Sequence, residues 1–111
     1  MHAASTATLN AKTPYNYVHD LSGFCEVTIE DAFKNNVEGY IDSSPYCYDL
    51  IKFHPAVVAS ACLLNAWQDE QVDQSLCGKY LRILARACAV PCYQLLQARK
   101  IMANFQRDGW Q

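Results

Sequence analysis

The run Val57-Val58-Ala59-Ser60-Ala61-Cys62-Leu63-Leu64-Asn65-Ala66-Trp67, introduced by His54-Pro55-Ala56, has no polar face wide enough to meet water. Wound as a helix, it points apolar side chains in nearly every direction, so it predicts a helix packed on most sides by other helices. Pro55 suits the first helical position, where the missing amide proton would be unpaired in any case. A central helix from Pro55 to about Trp67 is expected, with Pro55, Val58, Ala59, Ala61, Cys62 and Trp67 in the structural core.

The 111 residues are enough for one domain that buries a sizeable core and too few for two. Residues 1–12, rich in Ala, Ser, Thr and Asn, are expected to be a flexible leader, 13–107 the helical domain and 108–111 a tail. Thr13 and Pro14 can cap and open a first helix, with Tyr17, Val18, Leu21 and Phe24 as its apolar stripe and an end near Gly23 or Cys25. Thr28 and Asp31 have the spacing of a capping box for a second helix, whose face is Ile29, Phe33, Val37, Tyr40 and Ile41 and whose stop is Asp42-Ser43-Ser44-Pro45.

A short helical turn over Tyr46 to Lys52 is expected to lean on the core through Cys47, Leu50 and Ile51, being too brief to stand alone. Beyond the polar Gln68-Asp69-Glu70-Gln71, Ser75 begins a fourth helix carrying Leu76, Tyr80, Ile83, Leu84 and Ala87. A fifth carries Val90, Tyr93, Leu95, Leu96, Ile101, Met102 and Phe105, with Pro91 in its first turn, so the break falls around Arg86 to Ala89 and Gly109 ends the helix. No segment has the alternation or hairpin signal of a strand. The expected fold is all-α, five helices of which the central one is buried.

A formal charge of −2 and a pI near 5.8 argue against binding to nucleic acid through phosphate contacts. Lys79, Arg82 and Arg86 fall at helical spacing and make at most a modest positive face, read as solvated. Six cysteines without a secretory signal peptide or a Cys-x-x-Cys pair point to a reducing compartment, with Cys62, Cys77 and Cys88 expected to be buried thiols. Cys88 and Cys92 share a helical spacing, but no second ligand pair accompanies them, so no metal site is expected. No apolar run is long enough to span a bilayer.

Catalytic residues and cofactors are not expected either. His54 with Asp49, and His19 with Asp20, offer imidazole and carboxylate, yet no nucleophile elbow, phosphate loop or His-Glu-x-x-His pattern accompanies them. Cys25 beside Glu26 and Cys47 near Asp49 have acidic neighbours, which raise a thiol pKa and disfavour a reactive thiolate. The tyrosines point elsewhere. Tyr46-Cys47-Tyr48 in a short turn cannot bury both rings in one place, so Tyr46 or Tyr48, with Tyr15 and Trp110, are candidate contacts with a protein partner.

Taken in order, Thr13-Pro14-Tyr15, then Ile41-Asp42-Ser43-Ser44-Pro45-Tyr46, then Leu50-Ile51-Lys52-Phe53-His54-Pro55-Ala56-Val57-Val58-Ala59-Ser60-Ala61, resemble the C-terminal cyclin box, closest in pattern to A- and D-type cyclins. Val90-Pro91-Cys92-Tyr93-Gln94-Leu95-Leu96 is similar to that family's last helix. Ala56 stands where the family usually has Ser, and Ser60 and Cys62 stand where it has Ala. The resemblance spans residues 13–105 and rests on packing signatures. The N-terminal box, with its kinase-gripping Lys and Glu and its substrate-docking patch, has no counterpart in these residues.

The resemblance implies a cyclin-like fold and a non-catalytic regulatory domain that binds protein, within a cyclin-dependent kinase assembly or against a preceding N-terminal cyclin box. An intracellular setting, nuclear or cytoplasmic, follows from it, with no nucleic acid or membrane as partner. The alternatives are a cyclin-fold transcription or scaffold module, similar to the repeats of transcription factor IIB, and a small helical enzyme or effector. The former wants a basic face, the latter a pocket with converging titratable groups.

Overall fold

The computed structural model describes residues 14–25, 31–70 and 73–108. Among them are five α-helices and no strand: α1 Pro14–Phe24, α2 Asp31–Ser43, α3 Pro55–Asp69, α4 Gln74–Cys88 and α5 Cys92–Asp108. Two 3₁₀ turns, Ser44–Tyr46 and Tyr48–Leu50, link α2 to α3. The protein is all-α, and α3 packs against each of the other four helices. The anticipated leader, the Thr13 and Thr28 caps and the Gly109 stop lie outside the described residues; α5 itself extends through Asp108.

Helix α3 begins where Pro55 follows His54, whose Nδ1 accepts the Ala56 amide at 3.0 Å and replaces one missing helical partner. Every residue from Ala56 to Trp67 is buried, and Ala59, Ala61, Cys62, Leu63 and Ala66 are fully covered. The alanines let neighbouring backbones approach, while Leu63 and Leu64 each remove a large apolar side chain from water, worth roughly 1.5–3 kcal/mol apiece. Pro55 differs from expectation. It is half-buried at the rim of the core, because the first helical position lies at the end of the element.

Polar groups tie the helices in register. Ser60 Oγ donates to the Ala56 carbonyl at 2.9 Å and lies 3.3 Å from Cys88 Sγ on α4. Asn65 Nδ2 donates to the Arg99 carbonyl at 3.1 Å while Arg99 Nε donates back to Asn65 Oδ1 at 2.8 Å, and Arg99 also donates to Gln68. Tyr40 Oη donates to Asp69 at 2.5 Å and Asn36 to Glu70 at 2.9 Å, fastening α2 to the end of α3. No buried side-chain N or O atom among the described residues lacks a partner, as a stable interior requires.

The outer helices bury narrower faces than their apolar residues suggest. On α1 the covered ladder is Val18, Leu21 and Ser22, continued by Cys25 just past the helix end, and Phe24 falls off that face, 61% exposed. On α4 the face is Cys77, Leu81, Leu84, Ala85 and Cys88, so Leu76 and Ala87 project outward. On α5, Leu95, Ala98 and Met102 are buried while Tyr93 and Leu96 are exposed. In each case the face turned inward is the one opposite α3, and local periodicity does not choose among adjacent apolar faces.

The break between α4 and α5 is a Schellman-type stop. The Ala89 amide donates to the Arg86 carbonyl at 3.1 Å and the Val90 amide to the Ala85 carbonyl at 3.0 Å. Ala89 accordingly takes the left-handed conformation, φ 58°, usually left to glycine. Val90 and Pro91 precede α5 and do not belong to it: the helix starts at Cys92, and the Pro91 carbonyl accepts the Gln94 amide at 3.0 Å from just outside it.

Candidate functional site

The segment from α2 to α3 turns twice without becoming a continuous helix. Ser43 and Ser44 bond back onto the Tyr40 and Ile41 carbonyls at 3.0 and 2.8 Å, which carries α2 as far as Ser43. Cys47, extended at φ −93° and ψ 102°, separates the two 3₁₀ turns that replace the expected single turn. Successive bonds hold the backbone: Cys47 to Ser44 at 3.1 Å, Leu50 to Cys47 at 3.0 Å, Ile51 to Tyr48 at 3.1 Å and Phe53 to Leu50 at 3.1 Å.

This winding sorts the side chains. Cys47 and Leu50 enter the core at 5% and 3% exposure, whereas Tyr46, Tyr48 and Ile51 stand out at 76%, 84% and 67%. Ile51, expected to lean on the core, is displaced from it because Leu50 already occupies the inward position. Both tyrosine rings are outside, not one. Beside them runs an apolar cleft of about 450 Å³ lined by Pro14, Ile41, Pro45, Leu50, Phe53 and Val58, with Asp42 at its edge. It lies where the start of α1, the end of α2 and the start of α3 meet. Tyr15 occupies the first turn of α1 with its side chain outside the described atoms, and Trp110 lies outside the described residues.

His54 is exposed, serves as the α3 cap and meets the Tyr17 ring edge-on at 5.6 Å. The His19 carbonyl accepts the Ser22 hydroxyl at 2.9 Å. All six cysteines are free thiols; Cys25, Cys47 and Cys62 are buried, and Cys77, Cys88 and Cys92 are half-buried, so two of the three expected buried thiols are only partly covered. Burial pushes the Cys25 thiol up to about 11, so burial itself disfavours its thiolate. Burial also raises Cys62 and Cys88, the latter opposed by the Ser60 contact. Tyr40 is raised by burial and by its bond to the Asp69 carboxylate, which keeps its hydroxyl a donor. Among the described residues no three His, Cys, Asp or Glu side chains converge as a metal site would require.

A second concavity lies between the end of α1 and α4. It has a volume of about 440 Å³ and is lined by Phe24, Lys79, Arg82, Ile83, Arg86 and Ala87. The cation spacing was visible in the sequence; the participation of Phe24 was not, because it comes from a helix more than fifty residues earlier. No helix among the described residues is long and apolar enough to cross a membrane. Comparison with protein-family models, with curated proteins and with solved structures finds no match for this chain.

Proposed function

We propose that the protein is a non-catalytic, cyclin-like regulatory domain that binds a protein partner through the Ser44–Phe53 linker, within a cyclin-dependent kinase assembly. The observation that carries the binding role is the pair of outward rings, Tyr46 and Tyr48, with Ile51 beside an apolar cleft on a hydrogen-bonded backbone. Tyrosine offers large contact area with few rotatable bonds, and a preformed backbone lowers the ordering cost of association. The kinase assignment rests on the sequence resemblance to the C-terminal cyclin box. The central small-residue helix with other helices around it is compatible with that fold.

The test is affinity capture from cell extract with the parent chain and a Tyr46→Ser/Tyr48→Ser double variant, read by quantitative mass spectrometry. Both side chains are exposed, so the variant should keep the parent's helical circular dichroism. Recovery of a cyclin-dependent kinase by the parent, reduced about tenfold or more in the variant, supports the proposal. Equal recovery by both would move the contact off this linker. Loss of a different protein, with no kinase in either sample, would make the chain a scaffold or transcription module outside kinase assemblies.

A further inference from the structure

We propose that the cleft between α1 and α4 is a second docking site, for a short acidic peptide carrying an apolar anchor residue. Among the described residues it shares no lining residue with the linker cleft, and it does not depend on the function proposed for that linker. Lys79, Arg82 and Arg86 recur at intervals of three and four along α4 and therefore share one edge of the helix. Ile83 and Ala87 lie on the adjoining strip, between those cations and the buried face formed by Leu84 and Ala85. Phe24, reaching across from the end of α1, completes the apolar side of the cleft.

A solvated charged helix face accounts for the three cations but not for an aromatic ring left 61% exposed beside them. Burying that ring under a partner would recover hydrophobic stabilisation that folding does not use. The occupant's charge follows from the lining. Three of the chain's nine lysines and arginines line this cleft, no carboxylate among the described residues does, and the protein as a whole is formally −2. A local basic patch on an acidic protein selects acidic partners by complementarity and repels basic ones.

The length of the occupant follows from helix geometry. From position 79 to 86 the cations span seven residues of α4, or about 10 Å at the usual helical rise. An extended peptide covers that distance in about three to four residues. Acidic side chains on either side of an aromatic or leucine residue would therefore meet the cations while the apolar residue sits against Phe24 and Ile83. Three cations on one helix edge make few phosphate contacts, which favours a peptide over a nucleic acid.

The test uses the full chain and a fluorescein-labelled peptide, Gly-Glu-Asp-Phe-Glu-Asp-Leu-Gly, with fluorescence anisotropy at low salt. Saturable binding is expected, weakened about tenfold by Arg82→Glu/Arg86→Glu and severalfold by Phe24→Ser. It should also weaken as ionic strength shortens the screening length. The Tyr46→Ser/Tyr48→Ser variant should bind the peptide as the parent does, which separates failure of this site from failure of the linker surface. The substituted side chains are exposed, and unchanged circular dichroism would confirm folding. Equal binding of a peptide with Gln and Asn in place of the acids, or indifference to the charge reversal, would overturn the proposal. So would tighter binding of a single-stranded oligonucleotide at the same salt.

Discussion

Helices α3 and α4 are both fifteen residues long, and each begins with a side chain that caps the backbone, His54 in one and Asp73 in the other. Their fates differ. Twelve consecutive residues of α3 are buried, while on α4 only Leu84 and Ala85 are. Helix length and capping therefore say little about what a helix does in this fold. The difference lies in side-chain pattern: α3 has no charged residue before Asp69, whereas α4 interrupts its apolar positions with Lys79, Arg82 and Arg86. One helix supplies the interior against which everything is positioned. The other keeps a chemically varied outer face, and the cleft proposed for an acidic peptide lies on that face.

The largest effect should come from truncating a buried leucine on α3. Leu64→Ala, at a position 1% exposed, is expected to cost about 2–5 kcal/mol in chemical denaturation. Leu76→Ala on α4, at a position 41% exposed, should stay within about 0.5 kcal/mol. Equal losses would erase the distinction between the two helices. Overpacking provides a second contrast. Ala61→Leu inserts volume where no surface is accessible and should cost about 1–3 kcal/mol, with Ala59→Leu similar. Ala87→Leu, on the exposed side of α4, should leave the melting temperature nearly unchanged. An unchanged melting temperature in both α3 variants would refute its placement at the centre.

The same contrast explains which parts of the fold were legible in the sequence. Helix α3 could be read because its information is local: a proline start and an apolar, small-residue run leave no face for water. The α4–α5 break could be read too, since Pro91 excludes a continuous helix there. That Phe24, Leu76, Tyr93 and Leu96 among the apolar positions of these helices stay exposed could not be read locally, because a helix with several apolar positions has more than one admissible inward face, and distant neighbours select among them. At the linker, the sequence already implied that adjacent Tyr46 and Tyr48 could not share a burial site. That both rings are exposed depends on the extended residue Cys47 between the two 3₁₀ turns, a feature that composition does not encode. The α1–α4 cleft was half legible: helical spacing grouped its cations, and only tertiary packing added the phenylalanine.

Smaller effects probe the ends of these helices. Ala89 holds a left-handed conformation at φ 58° after α4, where an L side chain crowds its own backbone. Ala89→Gly should stabilise the protein by about 1 kcal/mol despite glycine's larger loss of unfolded-chain freedom. Destabilisation in urea would mean that the Ala89 methyl makes a contact worth more than the relieved crowding.

At the end of α1, Cys25 gives an effect that depends on pH. Its thiol is raised from 9.0 to about 11 by burial, so the folded state keeps it neutral after the unfolded state has begun to ionise. The folded chain binds more protons in that interval, which makes stability fall as pH rises. The contribution is intact below about pH 9, declines between about 9 and 11 and is lost above that range. Cys25→Ala should flatten this component relative to the parent, whatever the constant cost of the missing sulfur. Other alkaline titrations are common to both proteins, so the difference between their denaturation curves isolates the thiol. A constant difference from pH 8 to 11 would show that Cys25 reaches water in the folded state, and that the inner ladder of α1 ends at Ser22.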